Sequence, residues 1–194
     1  MNTRTIATIV VFTAISVALV PLAFPAPFAP FLKYQLWEIP IVAAFLIFGP
    51  ATGCSISIMN TILLLVVYPG DLPVGPLYNL IATMSTLLGI YIIQMSAGRF
   101  KSNQKVMIPL STALGCISRV AFMSVVNYTF LPFAYPLGFS IPTEAVIPLL
   151  PMIALFNASL ALYTIPIGYI IYEAVGTRLN IPKLKAKKTT TQSS

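Results

Sequence analysis

Long stretches without charged residues constrain this chain more than any other feature. Residues 6–24 contain no charged side chain, and comparable apolar runs recur along the sequence. Lys, Arg, Asp and Glu together make up 8% of the 194 residues, whereas a soluble domain carries roughly a quarter. Hydrophobic residues reach 58%. The chain is therefore predicted to be an integral membrane protein, with the lipid bilayer as its surroundings.

The apolar runs predict six transmembrane helices, because a helix needs about 20 residues to cross the hydrocarbon layer. A cleaved signal peptide is the alternative for the first run, which lacks a clean small-x-small cleavage site. The second run is short for a full span. We expect an all-α six-helix bundle in one domain, residues 1–175, and a basic, disordered tail, 176–194. The predicted segments are 6–24, 36–48, 51–67, 76–95, 106–131 and 145–172.

The basic residues predict the orientation of the bundle, since cytoplasmic loops carry an excess of Lys and Arg. With six spans both termini lie on one side. The outer side then holds only Lys33. We therefore expect cytoplasmic termini and a multi-pass protein of a prokaryotic cell membrane. The basic residues placed on the cytoplasmic side are Arg4, Arg99, Lys101, Lys105, Arg178, Lys183, Lys185, Lys187 and Lys188.

The remaining inventory argues against an enzyme. The chain has no histidine, which is the usual general base and the commonest metal ligand. Its carboxylates are scattered, and its two cysteines have no CxxC spacing. Basic residues at segment ends and in the tail do not form a nucleic-acid surface. We expect no cofactor, no metal and no nucleic-acid partner. The carboxylates are Glu38, Asp71, Glu144 and Glu173, and the cysteines are Cys54 and Cys116.

Arg119 is the one charged residue placed well inside the bilayer. It lies 13 positions after Val106, or about 20 Å along the predicted helix. An arginine at this depth costs about 2.5–3.5 kcal/mol or more and should face the protein interior. Two interpretations remain open: Arg119 contacts a ligand, or it forms an interior ion pair or hydrogen bonds to helix carbonyls.

Four asparagines lie in the predicted segments 3 to 6. Asn79 and Asn127 fall near the outer ends of their helices, and Asn60 and Asn157 lie closer to mid-depth. The alternative for each is an interhelical hydrogen bond. Together with Arg119, they predict an outward-opening pocket that binds a small polar ligand. The aromatic residues of the outer loops, and Tyr128 beside Asn127, are expected either to stack on a planar ligand or to form an interfacial belt.

Small residues form a stripe on the first segment. Ala7, Ala14 and Ala18 fall within about 20° of one angular position on a helix. Small side chains let a second transmembrane helix approach closely. The stripe therefore predicts a protein partner, although such spacing also arises by chance in apolar helices.

Several motifs of the chain resemble those of one family. The stretch LWEIPIVAAFLIFGPATG (36–53), GPLYN (75–79), Arg119 with the pair Asn127–Tyr128, and FN at 156–157 are similar to motifs in the substrate-binding S components of energy-coupling factor (ECF) vitamin transporters. The riboflavin-type members are the nearest in pattern.

The resemblance implies a role and a set of site residues. It implies six helices with cytoplasmic ends, capture of a vitamin outside the cell, and delivery with a transmembrane T component and two ATP-hydrolysing subunits. Asn127 and Asn157 would contact the ligand, and the pair Ala14-x-x-x-Ala18 would contact the T component. Glu38 stands where the family often has an aspartate.

The chain also departs from the riboflavin-type pattern. The family commonly has Pro before the FN pair and Lys three positions after it, and here these places are Leu155 and Leu160. The resemblance favours riboflavin or a related small aromatic compound. Two other classes stay open: a stand-alone membrane facilitator, and a small membrane enzyme such as a lipid-modifying transferase.

Overall fold

The computed structural model describes residues 2–67, 72–96 and 104–179. The all-helical prediction is confirmed, since these ranges form six α-helices and one short β-hairpin. In this described part, α3 to α6 are long and apolar enough to cross a membrane, and α1 and α2 are shorter. The six-span count stays a prediction. The helices are α1 (Thr3–Ala18), α2 (Glu38–Phe48), α3 (Pro50–Val67), α4 (Gly75–Ser96), α5 (Gln104–Phe130) and α6 (Thr143–Leu179).

The first helix is shorter than the sequence predicts. It ends at Ala18, and the expected span to residue 24 is wrong because Pro21 cannot supply a helical N–H. A short 3₁₀ turn follows, and then an antiparallel hairpin of β1 (Phe24–Ala26) and β2 (Ala29–Tyr34). The prolines of this stretch hid the hairpin in the sequence. They are tolerated because a two-stranded ribbon consists only of edge strands.

Helix α2 occupies the centre of the bundle. It packs against α6, α3 and α1, and nearly all its residues, from Glu38 to Ile47, are buried. A helix that is apolar on all sides is expected to be covered on all sides. Since α2 has only 11 residues, its first turn begins inside the bundle. Glu38 is consequently an interior carboxylate.

Close packing joins α4 to α5 through two glycines. A Cβ atom built on Gly89 would lie 2.6 Å from the Cα atom of Gly115. Small residues allow this backbone approach, which supplies much of the contact between helices in lipid. Helix α5 packs in turn against α6. The three helices therefore form one side of the bundle.

Helix α6 continues to Leu179, past the predicted domain boundary at residue 175. The rest of the predicted tail, 180–194, lies outside the described residues. So do Arg99, Lys101 and Asp71. The orientation of the termini and the disorder of the tail accordingly stay predictions.

Candidate functional site

A cavity of about 470 Å³ is lined by the start of α4, the second half of α5 and the middle of α6. Its volume falls within the roughly 300–1,000 Å³ of small-molecule sites. Helix α4 contributes residues 75–82 and helix α6 contributes residues 153–160. Lys33 of β2 borders the cavity from the hairpin side. The cavity is therefore bounded by α4, α5 and α6, by Leu64 of α3 and by the hairpin.

Arg119 is the buried charged residue of the cavity wall. Its side chain is only 2% exposed, and it is held by residues of three other helices. Its Nη1 and Nη2 atoms donate to the two carboxylate oxygens of Glu38 at 2.6 and 2.9 Å. Its Nε donates to Asn157 Oδ1 at 3.1 Å, and Nη1 also donates to Thr86 Oγ1 at 3.3 Å. The network ties α2, α4, α5 and α6 together.

The ion pair with Glu38 compensates the cost of burying Arg119. The two hydrogen bonds to one carboxylate form the bidentate arrangement that suits a guanidinium. A guanidinium has five N–H donors, and the bonds to Glu38, Asn157 and Thr86 use four of them. One N–H on Nη2 therefore has no acceptor among the described residues. Because Arg119 lines the cavity, this N–H is available to a ligand.

The asparagines of the wall differ in how much hydrogen-bonding capacity they retain. Asn157 accepts from Arg119 and donates from Nδ2 to the Ile153 carbonyl at 2.9 Å. Asn127 donates to the Met123 carbonyl at 2.7 Å, which leaves its Oδ1 without a donor in the described part of the chain. Asn79 accepts from the Thr83 hydroxyl through its backbone carbonyl, and its side-chain amide has no hydrogen bond to another described residue. Both Asn79 and Asn127 can thus serve a ligand.

The rest of the wall is mainly apolar and aromatic. Trp37, Met123, Phe156 and Leu160 line the cavity, and all four are buried. A wall of this kind, with a few polar groups directed at one region, is typical of small-molecule sites. The combination suits a flat, partly aromatic ligand whose edges carry hydrogen-bonding groups.

Tyrosine hydroxyls attach the hairpin side of the cavity to α6. Tyr34 Oη and Ser159 Oγ share a hydrogen bond of 2.7 Å, and Tyr163 Oη donates to the Gln35 carbonyl at 2.6 Å. The ring of Tyr34 also lies 5.1 Å from the ring of Phe156. These contacts fix β2 across the helix that carries the polar wall.

Four of the predicted site residues come together at the cavity, and three do not. The cavity wall includes Asn79, Arg119, Asn127 and Asn157. Glu38, 1% exposed, lies behind Arg119 and does not line the cavity.

Asn60 and Tyr128 also lie outside the cavity wall. Helix α3 reaches the cavity through Leu64, one turn beyond Asn60, and Asn60 is fully buried elsewhere. Tyr128 is 46% exposed, because it is rotated about 100° from Asn127 on α5. The cavity therefore contains four of the seven residues that the sequence predicts for it.

Two residues of the site escaped the sequence prediction. Thr86 accepts from Arg119 while its hydroxyl donates to the Ala82 carbonyl at 2.9 Å. Its position seven residues after Asn79 in α4 places both on one helix face, and this spacing was the available signal. From the sequence, Lys33 is only the basic residue of the outer side. Its place at the cavity depends on the hairpin, which the prolines concealed.

The alanine stripe of α1 lies on the outside of the molecule. Ala7, Ala14 and Ala18 are all exposed, while Ile9 and Thr13 face the interior. Within residues 2–67, 72–96 and 104–179, no group of three or more His, Cys, Asp or Glu side chains could hold a metal ion.

Comparison with known proteins identifies relatives of one kind. A scan against protein-family models finds no match. The chain is 30% identical over 135 residues to the riboflavin transporter RibU of Staphylococcus aureus (strain TCH60), covering 69% of this chain and 68% of that protein. It is 28% identical over 139 residues to the riboflavin transporter FmnP of Bacillus subtilis (strain 168), covering 70% of each.

A solved structure has the same fold. It is the S component of a bacterial ECF transporter, and it matches with a TM-score of 0.77 and 25% identity. The match covers 92% of this chain and 99% of that one. The likeness therefore extends over the hairpin and the helices together.

Proposed function

The chain belongs to the family of riboflavin transporters that are S components of ECF transporters, and from this premise we propose that it binds riboflavin or a closely related aromatic vitamin for uptake. The binding site is the cavity between α4, α5, α6 and the hairpin. The single observation that carries this proposal is the cavity wall, in which Arg119 and three asparagines border a space lined mainly by apolar and aromatic residues, with Lys33 and Gln35 on the hairpin side.

The chemistry of the wall suits a flavin. A flavin ring is flat and aromatic, so Trp37 and Phe156 can pack against it. Its carbonyl and imide edge needs both donors and acceptors, which amides supply. Arg119 offers the unused N–H, and Asn79 and Asn127 offer free amide groups. None of these groups needs to change protonation for binding, so the site performs recognition without chemistry.

The departure at Leu160 is part of this proposal. Leu160 lines the cavity at the place where the riboflavin-type pattern commonly has Lys. An apolar residue there leaves Arg119 and Lys33 as the charged residues of the wall in the described part of the chain. Affinity must then come from ring packing, from the Arg119 N–H and from the asparagines, and the substrate is riboflavin or a compound of similar shape.

Titration of the purified protein tests this function. We expect a flavin to copurify, giving yellow colour, and we expect stoichiometric quenching of riboflavin fluorescence on rebinding to the emptied protein. A protein that binds riboflavin tightly without turning it over fits an S component. Absence of binding across riboflavin, its analogues and a panel of other vitamins would refute the proposal. A stand-alone facilitator would lack the high-affinity site, and turnover of a substrate without partners would favour an enzyme.

The partners in this proposal are a transmembrane T component and two ATPase subunits, with ATP hydrolysis confined to the latter. The exposed stripe of Ala7, Ala14 and Ala18 supports the contact with the T component, since small residues allow close helix approach. We expect Ala14→Leu to block assembly while changing riboflavin affinity less than about twofold. Ala121→Leu is the matched control, because Ala121 is exposed on α5. Equal loss of affinity and assembly in Ala14→Leu would contradict the assignment.

The proposed setting is the bacterial cell membrane, with six spans and cytoplasmic termini. The apolar helices α3 to α6 support a multi-pass protein, and the distribution of basic residues supports the orientation. Reporter fusions at residue 194 should report the cytoplasm. Labelling of a cysteine introduced at the exposed Lys33 by an impermeant reagent should place the hairpin outside.

A further inference from the structure

Glu38 makes the strongest contacts with Arg119 and yet does not touch the cavity. We propose that Glu38 is a positioning residue that orients Arg119 and cancels its charge, so that this part of the site accepts an uncharged face of the ligand and rejects an anionic one. This inference rests on the proposed function, because it concerns how the same cavity selects its substrate.

The first step concerns orientation. Two carboxylate oxygens bind Nη1 and Nη2, and the Asn157 amide binds Nε. A planar guanidinium held on two sides has no freedom to turn about its long axis. Its remaining Nη2 N–H therefore points in one fixed direction. A ligand acceptor meets a preorganised donor and does not have to immobilise a long side chain, which otherwise lowers affinity.

The second step concerns charge. Arg119 and Glu38 are 2% and 1% exposed, so water does not screen them effectively. The Glu38 carboxylate lies 2.6 Å from the guanidinium and neutralises most of its charge. Arg119 therefore offers the ligand a hydrogen-bond donor with little net charge. An anionic ligand group at this place would bring a third buried charge and would compete with Glu38 for the guanidinium. A neutral carbonyl group needs only the unused N–H.

The third step concerns why this pair is present at all. Replacing a buried ion pair by apolar residues is often neutral or stabilising, so the pair is weak evidence for a stabilising role. Apart from Glu38, helix α2 is apolar, and it is buried from Pro40 to Ile47. A leucine at position 38 would suit that environment. A carboxylate at the first turn of this helix is explained by the function of its partner.

Lys33 does not account for the same selectivity. It is exposed and lies on the hairpin side, where water screens its charge. The charge of Lys33 contributes equally to ligand affinity in wild type and in variants at position 38. A ratio of affinities between two ligands therefore cancels its contribution and reports the charge at Arg119.

The test compares three ligands on purified full-length protein: riboflavin, its 5′-phosphate, and a riboflavin that carries a carboxymethyl group on the imide nitrogen. One anionic ligand places its charge at the imide edge, which the proposed function assigns to Arg119, and the other places it at the end of the ribityl chain. In Glu38→Gln, the affinity of one anionic ligand relative to riboflavin should rise about tenfold or more. Glu38→Asp keeps the charge and should keep the wild-type ratio. Glu144→Gln removes an exposed carboxylate of α6 and should also leave the ratio unchanged.

Each outcome decides the inference. Folded Glu38→Gln protein with both ratios unchanged would overturn it and leave the proposed function intact. Wild-type protein that binds no flavin would overturn both.

If Glu38→Gln alone does not fold, Thr86→Asp is added, since Thr86 Oγ1 lies 3.3 Å from Nη1 and Asp is close to Thr in size. Recovered folding with the wild-type ratio supports charge cancellation. Failure to recover, or a shifted ratio, contradicts it.

Discussion

Asn157 and Asn60 are two buried asparagines of the same bundle whose side-chain amides differ in their hydrogen bonding. Asn157 uses both ends of its amide, accepting from Arg119 and donating to the Ile153 carbonyl. Asn60 is equally buried, but neither its oxygen nor its nitrogen has a partner among the described residues. Both residues lie in long apolar helices that are candidates to cross the membrane.

In our proposal the difference separates a polar group that serves the binding site from one that the fold only tolerates. A buried polar atom without a partner costs about 1–3 kcal/mol, so Asn60 weakens the fold in this structure. Asn157 belongs to a network in which each group restrains its neighbours. The two asparagines should therefore respond in opposite ways to the same substitution, and the predictions below run from the largest expected effect to the smallest.

Arg119→Met should have the largest effect. It removes the donor that faces the cavity and leaves Glu38 buried without its counter-charge, which costs about 3–5 kcal/mol of stability. We expect riboflavin affinity to fall at least about a hundredfold and the thermal unfolding temperature in detergent to drop clearly. Lys33→Met serves as the control, because it removes an exposed cation from the same wall. Retained affinity in Arg119→Met would contradict the assignment of the site.

Asn157→Leu should be next in size. Arg119 Nε loses its acceptor, so a buried donor is left unpaired at a cost of about 1–3 kcal/mol. Affinity should fall about tenfold to a hundredfold, since the guanidinium is no longer held on that side. Fluorescence titration and thermal unfolding on one preparation measure both effects. A change in stability without a change in affinity would place Asn157 in a structural role only.

Asn127→Leu should affect binding more than folding. Its Nδ2 bonds only to the Met123 carbonyl, one turn back in the same helix, and that carbonyl keeps its helical partner. Its free Oδ1 faces a ligand in our proposal. We expect about tenfold weaker riboflavin binding, roughly 1.4 kcal/mol, with an unfolding temperature near that of wild type. Unchanged affinity would remove Asn127 from the contact set.

Asn60→Leu should have the smallest effect. Unlike Arg119→Met and Asn157→Leu, it should not lower the stability of the fold. Removing two unpartnered polar atoms from a buried position eliminates their desolvation penalty. We expect unchanged riboflavin affinity and stability equal to or about 1 kcal/mol above that of wild type. A loss of binding comparable with that of Asn157→Leu would mean that Asn60 belongs to the site after all.

The sequence was sufficient for the helices and for Arg119. Apolar runs bounded by turn residues gave the order of the six helices, because that pattern is local. The need of a buried arginine for a partner is equally general. It left an ion pair and a ligand as alternatives, and the structure contains the ion pair with Glu38 beside a cavity that Arg119 also lines.

The sequence was insufficient where the outcome depends on helix rotation and on distant contacts. Asn60 and Asn157 carry the same local signal, and only the packing of α3 and α6 decides which of them meets Arg119. The same holds for Tyr128, which is next to Asn127 but points away. The hairpin depends on pairing between strands that contain prolines, and it alone brings Lys33 to the cavity.

The most direct test of the central claim is a riboflavin titration of wild type beside the double variant Glu38→Leu/Arg119→Met. The double variant removes the whole buried pair, which is often neutral or stabilising for folding, and so separates binding from stability. We predict an unfolding temperature close to that of wild type and riboflavin affinity at least about a hundredfold weaker. A folded double variant that binds riboflavin as tightly as wild type would contradict the account.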